Sequence, residues 1–400
     1  THGFPVDLTN DIARERSLGL DIDGFEKAMA EQRKKSRQAS SFTAEGQIRF
    51  DLPDSTEFLG YTHLHASAVV VALAKEGNEV DTLGAGESGI VVLNQTPFYA
   101  ESGGQQGDSG LLTSSSASFQ VMETKKYGSH FGHEGKLVRG EIKIGDTINA
   151  RVEGPRRQAT ALNHSATHLL HAALRSVLGE HVTQKGSLVT HERTRFDFSN
   201  PQPVKTDEIF AIEAMVNNEI RQNEEVVTRV MPIEEAKASG AMALFGEKYD
   251  DEVRVLSMGD FSVELCGGTH VKRTGDIGLF KITAESGVAS GVRRIEAVTG
   301  NGALDHVRAL ETTLSQATTL LKTGADSLLP KIEQMAERVK GSEREVEALK
   351  MRLATAAGGD LLDDVVEVAG VQCLIASLDG QDPKTLRDTM DRLKQRLSQG

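Results

Sequence analysis

Two pairs of metal-ligand side chains about a hundred positions apart constrain this chain more than any other feature: His164 and His168 in NHSATHLLHAAL, then Cys266 and His270 in ELCGGTHVKRTGD. At i and i+4 of a helix, the imidazoles of the first pair project from one face about one turn apart and can chelate one ion. The second pair brackets Gly267 and Gly268, which let the backbone turn sharply and bring a thiolate beside an imidazole. A Cys/His3 donor set points to a single zinc ion, so the fold has to carry a helix and a glycine-spaced loop to one point. Either pair alone says little, because HxxxH arises by chance on many helices and a lone cysteine is most often a small buried hydrophobe. The conjunction is what points to metal. His171 falls on the same helix face and reads as a side chain that supports a ligand, or as a packed core histidine, rather than as a further ligand.

A chain of 400 residues exceeds one ordinary core, and several domains are expected. No stretch approaches the apolar length of a membrane span, and no signal peptide opens the sequence. Only Cys266 and Cys373 carry thiols, and the first is needed as a ligand, so no disulfide framework is expected. These features together predict a cytoplasmic protein without a membrane partner. The net charge of −13 argues against a surface that grips nucleic acid indiscriminately, yet it leaves room for a local basic track. Arg156-Arg157, Arg193 with Arg195, Lys272-Arg273 and Arg293-Arg294 all fall in the segment that holds the metal pairs. Singly each pair is ordinary solvated charge; their shared location suggests a phosphate-facing surface.

Patterning predicts an α+β protein in three parts: a small β-barrel, a metal-bearing α+β domain with an antiparallel sheet, and a long helical or coiled-coil segment. Residues 1–52 read as helical and polar, with a run from Phe25 to Arg37 rich in Glu, Gln, Lys and Arg. Over 53–155 short β-type runs (68–71, 89–93, 117–121 and 147–152) are divided by glycine and polar turns, as in a barrel. Inside it, QTPFYAESGGQQGDSG has glycines that break any helix, and Glu101 and Gln105 there either face a ligand or simply serve the turn. Over 156–300 a helix from about 157 to 178 carries the stripe Leu162, Ala166, Leu169, Leu170, Ala173, Leu174 and Val177, stopped by Gly179. Strand candidates follow at 195–198, 226–230, 253–257 and 279–282. Over 301–356, Ile332, Met335, Val339, Val346, Leu349 and Leu353 fit one a/d heptad register, and Val307, Leu310, Leu314, Ala317 and Leu321 form another such run. An antiparallel hairpin and a two-chain coiled coil would each bury that seam. Residues 357–400 read as the opening of a βα unit. The chain starts at Thr1 and stops inside that unit, which predicts a fragment of a longer protein.

The blocks HSATHLLHAAL, QKGSLV, GAMALFGEKYDDEVRVLSMGDFSVELCGGTH, RTGDIGLFKI and GVRRIEAVTG, with TPFYAESGGQQGD before them, closely resemble those of bacterial alanyl-tRNA synthetases. The likeness runs almost the full length. It implies the end of a helical tRNA-recognition domain (1–52), a β-barrel (53–155), a zinc-binding editing domain (156–300), a helical or coiled-coil linker (301–356) and the start of a C-terminal domain (357–400). None of the motifs quoted belongs to the aminoacylation core, where the family uses ATP and Mg2+. The activity implied is proofreading: hydrolysis of tRNA(Ala) wrongly charged with serine or glycine. His164, His168, Cys266 and His270 match the family's ligands for one Zn2+. Gln184 matches a residue implicated in the editing pocket, and Thr167 and Ser187 lie close enough in sequence to line the same cavity. Arg156, Arg157, Arg293 and Arg294 are the expected tRNA contacts. A homo-oligomer through the C-terminal region, a free-standing trans-editing deacylase and a non-catalytic zinc-stabilised tRNA-binding module stay open at this point.

Overall fold

The structure is a computed structural model that describes Asp21, Gly24, Phe25 and residues 48–238, 240, 242, 251–360, 364–377 and 383–396. Almost all of the expected helical region 1–52, with its run from Phe25 to Arg37, and residues 243–250 of the ALFGEKYD stretch lie outside the described residues. The chain divides into two compact units, Thr1–Asp305 and His306–Gly400.

The first unit opens with a closed barrel. Its strands are β1 (His65–Lys75), β2 (Ser88–Leu93), β3 (Gly110–Thr113), β4 (Ser118–Tyr127), β5 (His130–Arg139) and β6 (Thr147–Val152). They pair antiparallel in the order β6-β3-β4-β5-β2-β1, and β1 pairs back onto β6 with Ala68 opposite Ile148. Closure leaves the six strands without a free edge. In β6 the period-two alternation is complete: Ile148, Ala150 and Val152 are buried while Thr147, Asn149 and Arg151 are exposed. Leu73, Val91, Leu93, Leu112, Phe119 and Leu137 fill the interior with them. Two strands gave no signal in the sequence. GLLT of β3 is only four residues long, and HFGHEGKLVR of β5 mixes glycine, histidine and charge instead of alternating.

After the barrel comes helix α1 (Gly154–Leu178), with Pro155 in its first turn and Gly179 at φ 118° as its stop. Next are β7 (Gln184–Val189), β8 (Thr194–Ser199), helix α2 (Thr206–Gln222), β9 (Val226–Pro232), the short helix α3 (Ile233–Ala238), β10 (Glu252–Met258), β11 (Ser262–Leu265), β12 (Phe280–Ala289) and β13 (Val292–Thr299). They form an antiparallel four-stranded sheet, β7-β8-β13-β12, and a three-stranded one, β9-β10-β11. Leu169, Leu170, Ala173 and Leu174 of α1 pack with Ile212, Val216 and Ile220 of α2 and with Phe196, Phe198, Ile295 and Ala297 of the larger sheet. Each fully buried large apolar side chain contributes about 1.5–3 kcal/mol, so this core fixes α1 firmly and with it every side chain α1 turns toward the barrel.

Helix α4 (Gly300–Leu321) begins in the first unit and continues into the second, which also holds α5 (Leu328–Asp360), a hairpin of β14 (Val366–Val368) with β15 (Val371–Cys373), and α6 (Pro383–Arg396). The six heptad residues from Ile332 to Leu353 remain 41–67% exposed along α5. No described helix is long and apolar enough to cross a membrane.

Candidate metal centre

Helix α1 carries an unusual buried ridge of polar side chains: Asn163, His164, Thr167, His168 and His171 are all buried on it. Burying so many polar groups is unfavourable unless each is paired, and the pairing decides what each residue does. Asn163 accepts a hydrogen bond from Thr299 Oγ1 (2.7 Å) and donates to Thr190 O (2.8 Å). Thr167 donates to Asn163 O (2.7 Å) and meets Thr194 Oγ1 at 2.6 Å. The histidines turn one ring nitrogen each toward an acceptor: His164 Nδ1 lies 2.7 Å from Gln105 Oε1, His168 Nδ1 2.7 Å from Glu264 Oε2, and His171 Nδ1 3.0 Å from Glu264 Oε1.

With Nδ1 held in this way, the Nε2 atoms of His164 and His168 converge on Cys266 and His270. The four donor atoms lie within 4.8 Å of one another. A tetrahedral zinc shell built from ordinary Zn–N and Zn–S lengths has N···N edges of roughly 3.3 Å and S···N edges of roughly 3.6 Å. In the protein, His168 Nε2 and His270 Nε2 are 3.2 Å apart, and Cys266 Sγ is 3.5 Å from His270 Nε2 and 3.6 Å from His164 Nε2. Donor chemistry and spacing both fit one zinc-sized ion.

Cys266 follows β11 directly, and the turn after it is clamped from two sides. Arg254 donates to the carbonyls of Cys266 (3.0 Å) and Gly268 (3.1 Å), and its guanidinium sits 4.2 Å above the ring of Tyr61, whose hydroxyl donates to Gly267 O (2.8 Å). The two glycines differ in purpose. Neither has a left-handed φ, and a side chain at Gly267 would meet only Tyr61 Oη at 4.0 Å. A Cβ at Gly268 would overlap the ring of His164 and stand 2.7 Å from Gln105 Oε1. Close approach, rather than turning, is what requires Gly268.

Gln105 resolves the reading of the glycine-rich barrel loop in favour of the site. It is fully buried, accepts from Thr269 N (2.9 Å) while its Oε1 faces His164, and donates to Thr269 Oγ1 (2.8 Å). The same loop lies against β7: Val189 N donates to Gly104 O, Gln106 N donates to Val189 O, and a Cβ at Gly104 would overlap Ser187 O. Glu101 does not join it; its side chain is exposed. One barrel loop therefore orients a ligand histidine and seats the strand that carries Gln184 and Ser187.

Electrostatics favour a thiolate here. Burial opposes charge on Cys266, but the neighbouring imidazoles, His164 first among them, outweigh it and hold the thiol well below its usual range. Burial, the largest influence on His270, pushes it down to about 3 and keeps it neutral, as a metal ligand must be. Glu264 is also buried, yet His168 and His171 keep it ionised. Burial likewise opposes a charge on His168, but Glu264 and Cys266 raise it, so a cation held there would compete with a proton for this ring.

Beside the four donors lies a cleft of about 410 Å3, walled by the barrel aromatics Phe58, Tyr61 and Tyr99 and by His171, Gln184 and Ser187. Gln184 and Ser187 are half-buried there, and their side chains make no hydrogen bond to a described residue. Thr167 also lines the cleft, where its hydroxyl meets Asn163 O and Thr194 Oγ1. Gly268 N points at Cys266 Sγ (3.4 Å) and is not a free donor either. The four expected basic contacts are placed differently from one another. Arg157 is 6% exposed and binds Asp108, Gly60 O (2.8 Å) and Pro97 O (2.8 Å), so it pins the start of α1 to the barrel and presents no charge to a partner. Arg293 makes two bonds of 2.6 Å to Glu285, and Arg294 bonds of 2.6 and 2.7 Å to Asp197, which largely neutralises that stretch of sheet. Of the four, only Arg156 makes no ion pair with a described residue. Glu264, which orients two histidines, escaped notice in the sequence because a lone glutamate in a strand carries no local signal.

Comparison with known proteins gives this geometry a class. Residues 1–156 match the family described as tRNA synthetases class II (A), and residues 253–296, which hold Glu264, Cys266 and His270, match the threonyl and alanyl tRNA synthetase second additional domain. The two matches place the chain with class II tRNA synthetases that carry that additional domain. Alanine–tRNA ligases from Pseudomonas fluorescens and Saccharophagus degradans are 55% and 53% identical over 99% of the chain, and that from Shewanella amazonensis is 52% identical over all of it. The chain belongs to the alanyl-tRNA synthetase family, and it spans 46% of the length of these relatives.

Proposed function

We propose that the cleft is a proofreading site, hydrolysing the ester that links serine or glycine to wrongly charged tRNA(Ala), with one zinc ion held by His164, His168, Cys266 and His270. The observation that carries this reading is the convergence of those four donors at the wall of a 410 Å3 cleft, a volume suited to an aminoacylated ribose. The need for such a site follows from pocket energetics. A pocket that admits alanine cannot exclude glycine, because one missing methylene is worth only about 1–3 kcal/mol, and an added hydroxyl is also rejected weakly.

The zinc ion, when bound, would fix the cleft wall and place a positive charge beside it. Four protein donors close a tetrahedral shell, so the chain's own residues carry the steps: the ester is held against the wall and an ordered water attacks it. With Thr167 and Gly268 N already committed to internal bonds, Gln184 is the side chain best suited to donate to the developing oxyanion, and the Ser187 hydroxyl is free to bond the aminoacyl group.

The test is deacylation of Ser-tRNA(Ala), with Ala-tRNA(Ala) as control, by the wild-type chain and Cys266→Ala, with zinc measured on the same samples. Selective serine release that falls with zinc in the variant is expected. The closed donor set favours a second reading, a zinc-stabilised tRNA-binding module without turnover; full zinc occupancy and tRNA binding with no serine release would select it.

A further inference from the structure

We infer that His171 is the general base of this hydrolysis, an inference that rests on the proofreading reading above. His171 is 2% exposed, sits on α1 one turn beyond His168, and lines the same cleft as Gln184 and Ser187. Glu264 holds its ring in place. One carboxylate oxygen meets His168 Nδ1 at 2.7 Å and the other meets His171 Nδ1 at 3.0 Å. With Nδ1 turned to the carboxylate, Nε2 is the buried ring nitrogen that finds no hydrogen-bond partner among the described residues. His171 is also outside the group of four converging donors, so its Nε2 is not accounted for by metal. The ring packs against Phe196 with centroids 5.1 Å apart, which holds its orientation.

A buried ring nitrogen left unpaired is unfavourable, and a donor entering the cleft removes that penalty. Carboxylate, imidazole and a free acceptor in line are what a general-base histidine requires. In the step, a water gives one proton to His171 Nε2 as its oxygen bonds to the ester carbonyl carbon, and the carbonyl π pair moves onto oxygen. When the carbonyl re-forms, the bond to the ribose oxygen breaks, its electron pair stays on that oxygen, and the oxygen takes the proton from Nε2. Water and ester become amino acid and tRNA hydroxyl, and the histidine is regenerated with no other reactant.

The experiment compares the full chain with His171→Gln and His171→Ala in single-turnover deacylation of Ser-tRNA(Ala), with zinc content, thermal melting and tRNA affinity measured alongside. The expected result is unchanged zinc and affinity, a chemical rate lower by roughly 10²–10⁴-fold in both variants, and partial recovery of His171→Ala by added imidazole. A glutamine variant that keeps the wild-type rate would show that the nitrogen only accepts a hydrogen bond, from the serine hydroxyl or from water, and would overturn the assignment while leaving proofreading intact. Loss of zinc or of folding in both variants would make His171 a structural support and overturn it equally. A wild-type chain that releases no serine would overturn the proofreading reading itself, a result separable from the other two because it appears before any substitution.

Discussion

At Gly268 the centre has no room for even one methyl group, whereas Gly267, one position away, has open space. Gly268→Ala is expected to push His164 off its bond with Gln105 and lower the zinc stoichiometry measured by atomic spectroscopy, while Gly267→Ala keeps it near the wild-type value. The ligands themselves were legible in the sequence because ligand chemistry is local: imidazoles at i and i+4, then a thiolate and an imidazole around two glycines. Their supports were not. Gln105 and Glu264 lie 59 and 96 residues from the histidines they orient, and no spacing rule links a barrel loop or a strand end to a helix face. The same distance effect misled the reading of Arg157, whose charge looks solvated in sequence and is matched by Asp108 only in the fold.

Among elements, the loop between β2 and β3 joins the barrel to the metal-bearing domain. Its Asp108 receives Arg157, its Gln105 receives His164, and its Gly104 lies against β7. Replacing Arg157 by methionine would strand a buried carboxylate, which costs about 3–5 kcal/mol. Urea unfolding of Arg157→Met should show that loss, and the salt dependence of tRNA binding should not change, because the residue faces no partner. Inside the barrel, His133 of β5 is fully buried, donates from Nδ1 to Val91 O (2.8 Å) and accepts at Nε2 from Thr96 Oγ1 (2.7 Å). Burial lowers it from 6.5 to about 4. The unfolded chain therefore takes up a proton between pH 6.5 and 4 that the folded barrel refuses, and stability present above 6.5 is lost as pH falls through that window. The loss between pH 7 and 5 should be about 2 kcal/mol. Melting of His133→Gln across the same range should lack that part of the slope.

For the whole molecule, the two compact units divide the questions of chemistry and association. The exposed heptad seam of α5 is proposed to pair with a second copy, so sedimentation of the whole chain should show concentration-dependent association that Val339→Lys with Val346→Lys abolishes while the proposed serine release is kept. A monomer at all concentrations would remove the coiled-coil reading. The sequence by itself determined what is written in short-range pattern: the β character of the barrel region, α1 with its stop at Gly179, the heptad register and the four candidate ligands. Each of these depends on the period of a helix or strand or on the chemistry of neighbouring side chains, so a window of about ten residues contains it. Only the tertiary structure decided barrel closure through β3 and β5, the Gln105 and Glu264 supports, the internal fate of Thr167 and Arg157, and the free nitrogen of His171. These depend on which distant groups meet once the core has formed, and burial then compels every polar atom on α1 to find a partner or remain available to a ligand.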